Sequence, residues 1–131
     1  MATSRPQQLG IYRCGVCGNV VEVLDTGAGN LMCCGQPMQL LDPRTGNSAT
    51  EKHVPFVEID GNEMTVHVGQ NDAHPMETKH FIQWISVTSG EQVKRKFLSC
   101  NDLPEATFIV ADSTTAVVQA MCNRHGLWRS S

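Results

Sequence analysis

Short runs of alternating hydrophobic and polar residues fill roughly the last eighty positions of the chain, and this pattern predicts β-strands. The runs are rich in β-branched and aromatic residues, which favour strands, and turn sequences such as DGN and SGE separate them. The predicted strands are HVPFVEI, MTVHV, HFIQWISVT, VKRKFL, ATFIVAD and AVVQAMC. Their spacing of roughly 8–15 residues favours an antiparallel, immunoglobulin-like β-sandwich. The stretch TTAVVQAM is also compatible with a helical turn.

The first forty or so residues differ in character and are expected to form a separate small domain. YRCGVCGNVVEVL predicts a turn followed by a strand, and LDPRTGNSATEK has the composition of a linker. We therefore predict an all-β chain with one domain at residues 1–41 and another at residues 42–131. A domain of about 40 residues rarely buries a sufficient core, so the first one is expected to need a metal, disulfides or oligomerisation.

Composition and charge exclude several classes of protein. The chain has 131 residues, 40% of them hydrophobic, and its net charge is −3. No apolar run approaches the roughly 20 residues of a membrane span, and the polar start MATSRPQQLGIY does not resemble an export signal. The charge balance does not favour nucleic acid as a partner. We expect a cytoplasmic protein that binds neither membrane nor nucleic acid.

Four of the six cysteines lie close together, as Cys14-x2-Cys17 and, fifteen residues later, the adjacent pair Cys33-Cys34. In a reducing compartment such spacing favours metal binding over disulfides. Four thiolates in a tetrahedral array suit zinc or iron. The second pair lacks the usual spacer, so the backbone must splay its two side chains toward one ion. Structural zinc, mononuclear iron and disulfide bonding are the alternatives at this point.

A second set of donors follows the linker, namely His53, His74, His80, Cys122 and His125. Each is a weak signal alone, but together they give four imidazoles and one thiolate. That is one ligand more than structural zinc usually takes. An iron that prefers six ligands would keep one position open beside an electron-donating thiolate, where a small oxygen species could bind and be reduced.

Both sets of motifs resemble a known family. YRCGVCGNVVEVL and LMCCGQPMQLL are similar to desulforedoxin and to the N-terminal domain of desulfoferrodoxins. EKHVP, AHPMETKHFIQWI and CNRHGLW resemble the catalytic domain of superoxide reductases, which include neelaredoxin. The resemblance implies two mononuclear non-haem irons per chain and a homodimer, with zinc or calcium as possible substitutes in preparations. It implies these ligands: Cys14, Cys17, Cys33 and Cys34 for one iron; His53, His74, His80 and His125, with Cys122 as axial thiolate, for the other.

The same resemblance implies a catalytic activity, the reduction of superoxide to hydrogen peroxide with electrons from an external donor such as rubredoxin. It assigns Lys52 to attracting the anion and Glu51 to filling the vacant iron position after oxidation; a solvated charge pair is the plainer interpretation. His67 and Cys100 are expected to bind no metal. The four-thiolate iron either relays electrons or is structural, and we favour the structural role. Alternative functions are a non-catalytic electron-transfer protein, a zinc-binding adaptor and, more narrowly, a dismutase.

Overall fold

The computed structural model describes residues 8–130, and these residues fall into two compact units. The units are Met1–Asp42 and Pro43–Ser131. Most of the polar start, in which no export signal was expected, belongs to residues 1–7 and lies outside the described residues. Within residues 8–130, no helix has both the length and the apolar character needed to cross a membrane.

The first unit is a small β-structure with little buried surface. Its strands are β1 (Ile11–Arg13), β2 (Val20–Glu22), β3 (Met32–Cys33), β4 (Gln36–Pro37) and β5 (Gln39–Leu40). They form an antiparallel sheet in the order β2-β1-β5 and a separate β3-β4 hairpin. Its buried apolar residues are Ile11, Tyr12, Cys14 and Val23. So small a core stabilises a fold weakly, which makes the four cysteines candidates for the missing stabilisation.

The second unit is an antiparallel β-sandwich. Its strands are β6 (Pro55–Asp60), β7 (Glu63–Val68), β8 (Ile82–Ser89), β9 (Gln92–Phe97), β10 (Glu105–Ile109), β11 (Val117–Cys122) and β12 (Gly126–Arg129). One sheet has the order β10-β7-β6 and the other the order β12-β11-β8-β9. Side chains of both sheets meet in a single core, for example Val66 and Phe108 from the first and Ile85 and Val118 from the second. Alternating burial along β7 and β10 arises because successive side chains point to opposite faces.

The all-β prediction is confirmed, and each of the six predicted strands is present with its ends shifted by a few residues. The stretch TTAVVQAM, which was compatible with a helical turn, begins in a 3-10 turn at Ser113–Thr115 and continues into strand β11. Asp112 caps that turn by accepting the N–H of Thr114. Strand β12 was not predicted, because three of its four residues lie inside the CNRHGLW motif.

Strand register determines which loops of the second unit are neighbours. Pro55 at the start of β6 pairs with Val68 at the end of β7. In the other sheet, Cys122 at the end of β11 pairs with Ile82 near the start of β8. The irregularity between Met121 and Cys122 shifts this pairing, and both Ile82 and Cys122 contribute to the core. The segment that leads into β6 therefore lies beside the start of the β7–β8 loop. The end of that loop lies beside the turn that follows β11.

Candidate metal centres

The first cluster begins in the turn that follows β1. The Sγ atom of Cys14 accepts the backbone N–H groups of Val16 and Cys17, each at 3.4 Å. Gly18 has a φ of +82°, a backbone conformation that suits glycine, and its N–H bonds to the carbonyl of Cys14. The turn thus wraps around one sulfur and brings the other toward it.

The four sulfur atoms of this cluster fit a single tetrahedral ion. They all lie within 4.8 Å of one another, with 3.6 Å between Cys17 and Cys33 and 3.9 Å between Cys33 and Cys34. A metal–sulfur bond of about 2.3 Å in a tetrahedron separates neighbouring sulfurs by about 3.8 Å. No disulfide links them, since every cysteine in residues 8–130 is free. Metal binding therefore accounts for these spacings.

Neighbouring groups polarise these thiols unequally. Backbone hydrogen bonds from Cys17 and Val16 lower the pKa of Cys14 to about 6, so this sulfur is a thiolate at neutral pH. Hydrogen bonding with the other cysteines, Cys17 first, raises the pKa of Cys34 to about 12. Crowded thiols resist losing further protons unless a cation compensates their charge. The cluster is thus suited to a metal ion that displaces those protons.

The second cluster is assembled from loops at neighbouring strand ends. His53 lies two residues before β6, and His74 follows β7. His80 precedes β8, while Cys122 ends β11 and His125 lies in the turn before β12. The structure therefore brings together all five donors that were predicted from separate motifs.

The four imidazole rings form a square. Neighbouring ring centroids are 4.7–4.9 Å apart around the sequence His53, His74, His80, His125, and their planes cross at 68–79°. The diagonal from His53 to His80 is 6.4 Å. Nδ1 of His125 lies 3.2 Å from Nε2 of His53 and 3.2 Å from Nε2 of His80. Imidazole nitrogens about 2.1 Å from one metal would be separated by about 3.0 Å at the corners of a square.

His74 provides the clearest indication that this centre binds a cation. Its Nδ1 donates to the carbonyl of Pro75 at 2.7 Å, which leaves Nε2 as the nitrogen with a lone pair. That Nε2 is buried and has no hydrogen-bond partner within the described residues. Burial lowers the pKa of His74 to about 4, so the ring is neutral at pH 7. A neutral, buried nitrogen without a partner suits a metal ligand.

Cys122 lies against the same square and is fully buried. Its Sγ is 3.8 Å from Nδ1 of His125 and accepts the backbone N–H of His125 at 3.4 Å. A ligand atom of Cys122 also lies within 4.8 Å of ligand atoms of His53, His74 and His80. Four nitrogens and one sulfur can therefore contact one ion, a donor set that suits iron.

Glu51 and Lys52 lie beside this centre in the loop that leads to His53. Glu51 accepts both the Nδ1 and the backbone N–H of His53, at 2.8 and 3.1 Å, and these hydrogen bonds lower the pKa of its carboxyl. Lys52 is half-buried, and its charge is one of several that add to burial in lowering the pKa of His125. The glutamate thus occupies the outer side of His53.

Two residues that bind no metal hold the centre in place. The side chain of Asn123 accepts the N–H of Phe81 and donates to the carbonyl of Lys79, so it fixes the chain on both sides of His80. Trp128 stacks on His53 at 4.8 Å and donates its Nε1–H to the carbonyl of His125. The quoted CNRHGLW motif contains both residues, but a motif gives no contact partners.

His67 and Cys100, which were expected to bind no metal, have other neighbours. His67 is held between two carboxylates, with Nε2 2.8 Å from Glu58 and Nδ1 3.1 Å from Glu105. Cys100 is half-buried, and its Sγ lies 3.9 Å from Oδ1 of Asn101. Neither belongs to a group of donors that could hold an ion within the described residues.

Family models match nearly the whole chain. The model described as desulfoferrodoxin covers residues 45–131, and the model of the desulfoferrodoxin N-terminal domain covers residues 6–41. The boundary between the two matched regions lies in the predicted linker, LDPRTGNSATEK. The four-cysteine group and the group of histidines with one cysteine match the two-iron arrangement of these proteins.

Relatives and solved structures agree with these matches. A desulfoferrodoxin homolog from Methanothermobacter thermautotrophicus is 52% identical over 90% of this chain and 94% of its own length. The desulfoferrodoxin of Nitratidesulfovibrio vulgaris is 46% identical over 95% of this chain and 98% of its own length. The crystal structure of the superoxide reductase from Treponema pallidum superimposes with a TM-score of 0.74 at 25% identity, covering 96% of this chain and all of that one. The chain belongs to the desulfoferrodoxin family.

Proposed function

We propose that this chain is a superoxide reductase that converts superoxide to hydrogen peroxide at the centre of His53, His74, His80, Cys122 and His125. The observation that carries the proposal is the square of four imidazoles with one thiolate against it. These five side chains would hold the iron, which would supply the electron and leave room for a small anion. The reaction consumes one electron and a pair of protons for each superoxide.

Protein groups around the centre have roles that follow from their charge and position. Lys52 provides a positive charge that attracts a small anion, and its ammonium can stabilise negative charge on the bound oxygen. Burial keeps His74 neutral, so its Nε2 stays available as a ligand at physiological pH. The backbone N–H of His125 donates to Sγ of Cys122, which moderates the electron density on that sulfur.

We assign Glu51 two positions, of which the structure describes the first. Here its carboxylate binds Nδ1 and the backbone N–H of His53. In the second, the carboxylate would fill the vacant iron position after the electron has left and so help to release peroxide. Glu51 is only two residues from the proposed ligand His53, which supports this assignment. A new side-chain rotamer, together with a small movement of the loop, would bring its carboxylate to the centre.

The four-cysteine iron is proposed to stabilise the first domain, residues 1–41, while residues 42–131 form the catalytic domain. The thin core of the first unit supports a structural metal. A homodimer formed through the first domain is supported by its exposed apolar side chains, Val16, Val20, Val21, Leu24, Met32 and Leu40. We further propose a cytoplasmic role in detoxification with a rubredoxin-like donor. Cysteines arranged as ligand sets support a reducing compartment.

The test combines metal analysis with anaerobic addition of superoxide to the reduced protein. We expect two irons per chain, stoichiometric peroxide and no oxygen. Cys122→Ser should abolish turnover and leave the thiolate-iron absorption unchanged, whereas Cys34→Ser should alter only that absorption. A colourless zinc protein would indicate an adaptor, and a redox-active protein indifferent to superoxide would indicate electron transfer. Oxygen evolution without a reductant would indicate a dismutase.

A further inference from the structure

A guanidinium and an imidazole both contact one indole at the edge of the histidine centre. The Cζ atom of Arg44 lies 4.4 Å from the centroid of the Trp128 ring. Trp128 also stacks on His53 with centroids 4.8 Å apart and planes inclined by 16°. A permanent positive charge and a proposed metal ligand therefore contact the same aromatic ring.

The backbone holds this stack in place. The N–H of Arg44 donates to the carbonyl of Leu127, and its own carbonyl accepts the N–H of Arg129, so Arg44 pairs with the chain on both sides of Trp128. Trp128 is only 5% exposed, and its Nε1–H bonds to the carbonyl of His125. The indole thus contacts two histidines of the centre, and the arginine is placed over it by main-chain bonds and a cation–π contact.

We propose that Arg44 is a positioning residue of this centre that acts through Trp128. Its charge raises the reduction potential of the metal held by His53 and so favours the ferrous state. This inference rests on the proposed function, because it requires a redox-active iron at the histidines. A nearby cation stabilises the oxidation state of lower positive charge. At about 10 Å and an effective dielectric constant of about 20, a unit charge shifts a one-electron equilibrium about tenfold, or ~59 mV.

The same unit contains a matched control. The Cζ atom of Arg95 lies 4.4 Å from the centroid of the Trp84 ring, the same separation as in the Arg44 pair. The described ring contacts of the four histidines include Trp128 but not Trp84. Replacing Arg95 therefore removes a cation–π contact of the same separation and an equal charge without interrupting the stack on His53.

The experiment measures the midpoint potential of the histidine iron by spectroelectrochemistry of the full, iron-loaded chain. Arg44→Gln should lower it by an amount that corresponds to about a tenfold shift toward the ferric state, ~59 mV. Arg44→Lys should retain most of the wild-type potential, because the charge remains, and Arg95→Gln should lower it by less than Arg44→Gln does. The proposal is overturned by an unchanged potential in Arg44→Gln, by an equal fall in Arg95→Gln, or by Arg44→Lys matching Arg44→Gln.

The proposed function is tested separately in the same preparations. Wild-type protein that carries iron but consumes no superoxide would refute the reductase activity, whatever the potentials are. Wild-type protein that reduces superoxide while all potentials coincide would refute the role of Arg44 alone.

Discussion

The carboxylate of Glu51 determines which nitrogen of His53 faces the other histidines. One oxygen of Glu51 accepts both Nδ1–H and the backbone N–H of His53, at 2.8 and 3.1 Å. These bonds lower the pKa of the carboxyl, so Glu51 is ionised and acts only as an acceptor. The proton of His53 must then reside on Nδ1, which leaves the Nε2 lone pair directed toward His125, 3.2 Å away.

Replacing Glu51 by alanine should weaken metal binding at the histidine centre. The substitution frees Nδ1 of His53 and removes the bond that selects the tautomer, and loss of such a partner costs about 10–100-fold in metal affinity. We expect a loss near the lower end, about tenfold, because the backbone still places His53. Competition with a chelator of known ferrous affinity measures it.

Glu51→Gln is the matched comparison, since its amide oxygen can still accept Nδ1–H. It should bind ferrous iron more tightly than Glu51→Ala. Equal affinities in wild type and Glu51→Ala would show that the carboxylate does not orient His53.

Gly69 is expected to be indispensable for the loop that carries His74. Its φ is +95°, and a Cβ atom added there would collide with the carbonyl oxygen of Asp72 and lie 2.9 Å from the carbonyl carbon of Asp72 and from the Cα of Ala73. The same loop is closed by the N–H of His74 donating to the carbonyl of Val68. Gly69→Ala should therefore displace His74, lower the free energy of unfolding by about 1–3 kcal/mol and reduce iron at the histidine centre.

Gly61→Ala provides the control for Gly69→Ala. Gly61 also has a positive φ, +63°, but a Cβ atom there has nothing within 4 Å. It should cost about 1 kcal/mol of stability and leave the iron content unchanged. Chemical denaturation and metal analysis compare the two variants, and equal iron loss in both would refute the steric argument.

The donor atoms of both centres could be predicted from the sequence, because metal ligands require particular residue types in short motifs. The two-residue spacing of Cys14 and Cys17 alone indicates a metal-binding pair. The adjacent pair is different, because Cys34 adopts a φ of +54°, whereas the sequence indicates only that the backbone must splay the two side chains. A non-glycine residue in this region is uncommon, so ordinary spacing rules would not propose that pair.

The residues that support the donors could not be predicted, because their roles depend on contacts across the fold. Asn123 bonds to residues more than forty positions earlier in the chain. Arg44 and Trp128 meet although they are far apart in sequence. The strands were predictable from their alternation, which is a local property. The meeting of three connecting segments at one end of the sandwich is set by register, which local alternation does not specify.

His67→Gln should leave both metal centres intact. The two nitrogens of His67 face Glu58 and Glu105 across β6, β7 and β10, which is a surface arrangement worth at most about 1 kcal/mol. Iron content and both absorption spectra should equal those of wild type, while His80→Gln should lose iron at the histidine centre. Loss of iron in His67→Gln would mean that the donor set has been assigned incorrectly.

The stability of the metal-free protein should depend on pH through His74. Burial lowers its pKa from 6.5 to about 4. Between these two pH values, His74 is protonated in the unfolded chain but neutral in the folded chain. The free energy of unfolding should therefore fall as pH decreases from 6.5 to about 4 and show no further loss from this group below that. The fall is on the order of 3 kcal/mol.

Other groups near the centre titrate in the same direction, so the contribution of His74 must be measured as a difference. Burial also lowers the pKa values of His80 and His125. His74→Gln removes one titrating group and keeps a polar side chain at the site. Urea denaturation at a series of pH values should give a shallower pH dependence for His74→Gln than for wild type. Parallel curves would mean that His74 is not protonated on unfolding in this range, and its burial would then not be what keeps the ring neutral.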